Sequence, residues 1–112
     1  MEVNLNCDLG EKSKHYNGIN DKSLIEIINT ANIACGYHAG SPSIIRQTIE
    51  LAKKNNVSVG AHPGYADKEN FGRSPIYLEK NEIKKLISEQ LVIIDKISKS
   101  LKWPITHVKP HG

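Results

Sequence analysis

Apolar and polar positions along the 112-residue chain follow two different periods. Four short segments rich in β-branched residues, near 3–7, 31–35, 57–61 and 105–109, read as strands. Between them the period becomes helical. The clearest helix runs from about Glu82 to Leu101: Ile83, Leu86, Ile87, Leu91, Ile94, Ile97 and Leu101 recur at steps of three and four, with Lys, Glu and Ser on the other face. Ser41-Pro42 reads as a helix start, a hydroxyl N-cap followed by proline at the first helical position. Ile44, Ile45, Thr48, Ile49 and Ala52 carry that helix's apolar face towards Asn55-Asn56. A shorter helix follows Asp21, with Leu24, Ile25, Ile27 and Ile28. The order βαβαβαβ predicts an α/β fold in one domain, residues 1–112, with a parallel sheet and right-handed crossovers, either open or curled into a β/α barrel.

In such folds the loops after the carboxyl ends of the strands line the ligand crevice. Each predicted strand ends in reactive residues: Asn6, Asp8 and Glu11 in NLNCDLGE, Cys35 and His38 in NIACGYHAG, His62 and Asp67 in VSVGAHPGYAD, and Lys109 and His111 in THVKPHG. Four strands therefore deliver polar groups to one rim, among glycines that let the backbone turn tightly. Segment 62–81 is richer in Gly, Pro and polar residues than a plain connector needs, which marks it as a functional loop.

Several chemistries fit that rim. Asp8 with Glu11 is a candidate pair for acid–base work or metal binding, although Asp after a strand is also a common turn-former. His38 and His62 are candidates for proton transfer. With Asp8 they would make a two-histidine, one-carboxylate set for a divalent ion, the alternative being hydrogen bonds to substrate or backbone. Lys109 and Arg73 are candidates to hold a carboxylate or phosphate, Arg73 through its planar fork. Cys7 and Cys35 fit no zinc or redox spacing and read as small buried hydrophobes, Trp103 and Tyr77 as packing residues, and His15 as exposed.

Composition narrows the field further. Fifteen Lys plus Arg against twelve Asp plus Glu give a net charge of +3, with the lysines scattered along helices, so nucleic-acid binding has no support. No apolar run approaches the roughly 20 residues needed to cross a bilayer. With no signal-peptide pattern at the amino terminus, the expected location is the cytoplasm. The G-x-x-x-x-G-K-[ST] motif is absent, so any nucleotide would be held without a Walker A cradle.

Taken together, NLNCDLGE, ANIACGYHAGSP, VGAHPGYAD, FGR and HVKPHG resemble the LamB/YcsF family, in the family's order and across residues 3–112. The resemblance implies a distorted β/α barrel of the TIM-like, polysaccharide-deacetylase type. It also implies a hydrolase component, the A subunit of a 5-oxoprolinase, that works with partner subunits B and C to open the lactam of 5-oxo-L-proline to L-glutamate while ATP goes to ADP and phosphate. Carried over by position, Asp8, Glu11, His38 and His62 become the catalytic candidates, and Asn6, Arg73, Lys109 and His111 the groups that steady substrate carboxylate or phosphoryl. A divalent metal would find Asp8, His38 and His62.

Three positions depart from the family pattern: Ser41 for Asp at a helix cap, Ser74 for a second arginine, and Ala66 for proline. The family pattern also continues past HVKPHG, which predicts about half a barrel here and an unpaired edge on its last strand. Two readings compete with the enzyme component. One is a non-catalytic remnant that forms a homo-oligomer through that edge. The other is a metal-dependent deacetylase of acylated sugars.

Overall fold

In a computed structural model that describes residues 2–112, helix α2 (Pro42–Lys54) shows most directly how this sequence sets its own boundaries. Ser41 has extended backbone and its Oγ accepts the Ile44 N–H at 3.3 Å, the N-cap its hydroxyl suggested, with Pro42 next. The face carrying Ile45, Thr48, Ile49 and Ala52 is buried. Each large aliphatic on it stabilises the fold by roughly 1.5–3 kcal/mol of apolar burial. Helix α3 (Lys80–Ser100) starts in a reciprocal capping box between Glu79 and Glu82. It packs on α2 and on the sheet, with Ile94 at the centre of the contact.

The sheet has three parallel strands in the order β1 (Asn6–Leu9), β2 (Thr30–Ala34) and β3 (Ser58–His62). Its register sets Asp8 opposite Asn32 and Asn32 opposite Gly60. Side chains alternate between faces along a strand. Leu9, Ala31, Ile33, Val59 and Ala61 therefore enter the core beneath α2 and α3, with Cys7 packed against them. Asn6, Asp8, Asn32, Gly60 and His62 share the opposite face. The sheet is thus apolar towards its helices and polar on the side that carries the reactive groups.

Several expectations need correction. The first strand is not 3–7 but Asn6–Leu9: Val3 and Leu5 are exposed, and pairing begins only where β2 lies opposite. Asn6 and Asp8 consequently sit on the strand itself instead of past its end. The helix after Asp21 is a single turn, α1 (Asp21–Leu24), although Ile25 and Ile28 beyond it are buried in the core. Residues 105–109 run beside β3 but form one isolated parallel bridge, Ala61 to Val108, and no regular strand. The reason lies in the hydrogen bonds. Thr106 N–H donates to Val59 C=O, yet Ala61 N–H donates to His107 C=O, so two residues stand where a regular ladder has one. Trp103 packs against the core and donates from Nε1 to Val57 C=O, whereas Tyr77, expected to pack, is 84% exposed. Among the described residues no helix is long and apolar enough to cross a membrane.

The irregularity at Thr106-His107 turns the His107 ring across the sheet. A Cβ on Gly60 would lie 2.2 Å from that ring, so only glycine admits it. Gly60→Ala is expected to destabilise the chain by about 1–3 kcal/mol in urea unfolding. Combining it with His107→Ala should cost less than the sum of the single changes, since the clash then has no second party. Strict additivity would show that the close approach is not what requires glycine.

Candidate active site

Glu11, His38, His62 and His111 come from four separate segments, and one ligand atom from each lies within 4.8 Å of the others. Glu11 follows β1 in a loop held by Asp21, whose carboxylate accepts the Gly10 N–H at 2.9 Å and the Tyr16 hydroxyl at 3.0 Å. His38 lies in the turn after β2, His62 ends β3, and His111 follows the stretch that runs beside β3. The sequence thus placed the reactive groups at the correct end of the sheet.

Two backbone carbonyls decide what the histidines present. His62 Nδ1 donates to Lys109 C=O at 2.6 Å, and His111 Nε2 donates to Phe71 C=O at 2.7 Å. Burial lowers the pKa of His62, against the Lys109 carbonyl, Asp8 and Glu11, which favour its charged form. Burial and then the neighbouring His38 lower that of His111. Both rings are therefore neutral at pH 7, each with its proton committed to a carbonyl. The remaining nitrogens, His62 Nε2 and His111 Nδ1, face each other at 3.3 Å, and each lies 3.6 Å from Glu11 Oε2.

His38 is wholly buried. Its Nε2 donates to Glu11 Oε2 at 2.7 Å, and its ring stacks on His111 with centroids 3.9 Å apart. Gly64 and Gly72 pack so closely on it that a Cβ at either would come within 2.7 Å. Its Nδ1 has no hydrogen-bond partner among the described residues. Phe71 meets both His38 and His111 edge-on. Its left-handed backbone, φ 55°, is unusual for an aromatic residue and occurs at the residue whose carbonyl takes the His111 proton.

Asp8 lies outside the group of four. Its Oδ1 accepts Lys109 Nζ at 2.8 Å and Asn32 Nδ2 at 3.1 Å, while Oδ2 is 3.4 Å from His62 Nε2. Burial acts to raise its pKa, but Lys109, His62 and Asn32 outweigh it and hold the carboxyl below its ordinary value. Asn6 accepts from Asn32 Nδ2 at 2.9 Å, and Asn32 Oδ1 accepts from His107 Nε2 at 2.6 Å. Arg73 is exposed and stands over the Phe71 ring. It shares a cavity of about 430 Å³ with Tyr65, Gly72, Ser74, His111 and Gly112, open beside the histidines.

The remaining candidates stand apart from this centre. Asp67 closes its own loop, accepting from Asn70 and Ser74 N–H. His15 is exposed and bonds to Glu69 C=O. Burial pushes the Cys35 thiol up to about 12, and burial followed by the Asp8 charge raises that of Cys7, so neither is an activated nucleophile.

Sequence reasoning missed three residues that shape the site. Asn32 and His107 complete the polar network on the sheet. Gln90, in the apolar stripe of α3, is fully buried; its Oε1 accepts the Gly64 N–H at 2.9 Å and its Nε2 donates to Gly64 C=O at 2.8 Å. A polar residue in an otherwise aliphatic helical stripe was the available signal.

Fold and site define a class: an α/β protein with a buried histidine–carboxylate centre at the carboxyl end of a parallel sheet. The profile of the LamB/YcsF family matches residues 3–112, and the chain belongs to that family. It is 48% identical over 111 residues to the second 5-oxoprolinase A subunit of Bradyrhizobium diazoefficiens, covering 98% of this chain and 43% of that protein. It is 46% identical to the 5-oxoprolinase A subunit of Staphylococcus epidermidis, covering 100% and 44%. The crystal structure of a lactam utilization protein from Thermus thermophilus superposes with a TM-score of 0.94 at 38% identity, covering 100% of this chain and 45% of that one. The chain thus spans less than half the length of the relatives it matches.

Gln90→Leu keeps the side chain's bulk but leaves both polar groups of Gly64 unpaired in the interior. A loss of about 1–3 kcal/mol in urea unfolding is expected, with faster amide exchange in residues 63–72. An unchanged exchange pattern would mean that Gln90 does not hold this loop.

Proposed function

We propose that this chain acts as the A subunit of an ATP-dependent 5-oxoprolinase, hydrolysing the 5-oxo-L-proline lactam to L-glutamate together with subunits B and C in the cytoplasm, and that its sheet is the first part of a curled β/α barrel. The observation that carries this reading is a proton acceptor beside a fixed cation. His62 Nε2 is unprotonated, 3.4 Å from Asp8 Oδ2, and Asp8 in turn holds Lys109 Nζ at 2.8 Å. Identity of 48% and 46% to proteins named as 5-oxoprolinase A subunits supports the choice of substrate.

The chemistry asks for such a pair. A lactam carbonyl is a poor electrophile, and transfer of the ATP γ-phosphoryl group to its oxygen would activate it. Water then adds to that carbon while His62 Nε2 accepts its proton. The ring C–N bond breaks, the nitrogen taking a proton, and the resulting acyl phosphate is hydrolysed to glutamate and phosphate. Lys109 and Arg73 supply positive charge for the substrate carboxylate or the phosphoryl oxygens. Asp8 positions Lys109, the Lys109 carbonyl keeps the His62 lone pair at Nε2, and Asn6 anchors Asn32 beneath Asp8.

Glutamate release from 5-oxoproline and ATP, by the chain mixed with subunits B and C, tests this. His62→Ala is expected to lower kcat by about 10²-fold or more, the contribution of a general base. Lys109→Met should raise KM for 5-oxoproline about tenfold, the loss of one charged hydrogen bond. Absence of ATP-dependent glutamate from the intact mixture, or full activity in His62→Ala, would refute the assignment.

A further inference from the structure

We propose that Glu11, His62 and His111 form a binding site for one divalent transition-metal ion of the zinc type. The assignment rests on side-chain geometry; an ion there would occupy the His62 Nε2 lone pair that the proposed lactam reaction uses as a base, and would then take over activation of the water in its place.

Three Lewis-basic atoms converge here with no donor between them. His62 Nε2 and His111 Nδ1 are both lone-pair nitrogens, because each ring has already given its proton to a backbone carbonyl. They approach to 3.3 Å, too close for two acceptors to gain anything from each other, and Glu11 Oε2 adds negative charge 3.6 Å from both. The two imidazole side chains are 1% and 4% exposed and that of Glu11 is 13% exposed, so water does little to relieve the repulsion. A cation at the centre would relieve it.

The dimensions select the kind of cation. A circle through three points separated by 3.3, 3.6 and 3.6 Å has a radius of about 2.0 Å, which is the length of zinc–nitrogen and zinc–carboxylate bonds. Calcium needs bonds of about 2.3–2.6 Å and six or more oxygens, and magnesium prefers oxygen donors, so neither suits two imidazoles. The surroundings also match a metal centre: each histidine is oriented by a carbonyl on its far nitrogen, and the carboxylate accepts a hydrogen bond from His38 Nε2 at 2.7 Å. Asp8 Oδ2, 3.4 Å from His62 Nε2, borders the half-open side where a fourth ligand would enter. The set differs from the one expected from sequence. Glu11 and His111 are ligands in place of Asp8, which is engaged by Lys109, and of His38, whose role is to position Glu11.

Titration of the purified, folded chain with Co²⁺, followed by visible absorption, is expected to show d–d bands saturating at one ion per chain and displaced by Zn²⁺. His62→Gln and His111→Gln should each weaken binding by about 100-fold or more, and His38→Phe, which keeps the stacked ring but removes the donor, by about tenfold. His15→Gln, on the surface, should change nothing. His111→Cys restores a ligand and should recover binding with a new thiolate-to-cobalt charge-transfer band, a signature no merely structural role produces. The proposal is overturned if the folded chain binds neither ion stoichiometrically. It also fails if His62→Gln and His111→Gln, folded by circular dichroism, bind as tightly as the parent.

Discussion

Two hydrogen bonds to main-chain carbonyls govern the chemistry of this protein. Lys109 C=O takes the Nδ1 proton of His62, and Phe71 C=O takes the Nε2 proton of His111. Neither carbonyl is free to move. Lys109 is tied to the sheet by its own N–H on Ala61 C=O, and Phe71 is turned inward by a left-handed backbone followed by Gly72 in the same region. The fold thus determines which nitrogen of each ring faces its neighbours, and through that, whether the centre attracts a proton, a metal ion or an anion. Side-chain identity alone would leave that choice open.

The same logic extends down the polar face of the sheet. Asn32 uses both Nδ2 protons, on Asn6 and Asp8, and its Oδ1 accepts from His107. A polar network in a low-dielectric interior repays its desolvation only when nearly every member is satisfied, and this one meets that condition. The exceptions are the facing lone pairs of His62 Nε2 and His111 Nδ1, and His38 Nδ1, buried against Gly64 without a partner among the described residues. The cost at His38 is offset by the charge-assisted bond from its other nitrogen to Glu11 and by the stack on His111.

Much of this was legible in the sequence, for identifiable reasons. Helices α2 and α3 are long enough for their apolar stripes to repeat several times, and each begins with a capping signal. The carboxyl-end rule located the reactive residues without knowledge of a single contact. Strand boundaries were less legible. The first strand was expected at 3–7, where Val3 and Leu5 are apolar, while the period-two alternation of Asn6, Cys7, Asp8 and Leu9 marked the strand that pairs. The fourth segment had the composition of a strand, but a one-residue irregularity at Thr106-His107 breaks its ladder, and such a break has no composition signature. His107 reaches Asn32 across 75 positions of sequence. Only the register of the sheet brings that pair together, so no local pattern announces it. The metal-ligand set proposed from the structure differs from the one expected from sequence for a related reason: His38 and His62 look equivalent in the sequence, and only the placement of the Phe71 and Lys109 carbonyls distinguishes His111 and His62, as lone-pair holders, from His38.

Nitrogen-15 NMR of the metal-free chain at neutral pH, with the histidine ring nitrogens assigned, reads the tautomers directly. His62 is expected to be protonated at Nδ1 and His111 at Nε2, each ring neutral, with His62 Nε2 and His111 Nδ1 at the shifts of unprotonated nitrogen. The opposite tautomer at either ring, or an imidazolium at both, would contradict this, because the converging lone pairs on which the site depends would not exist.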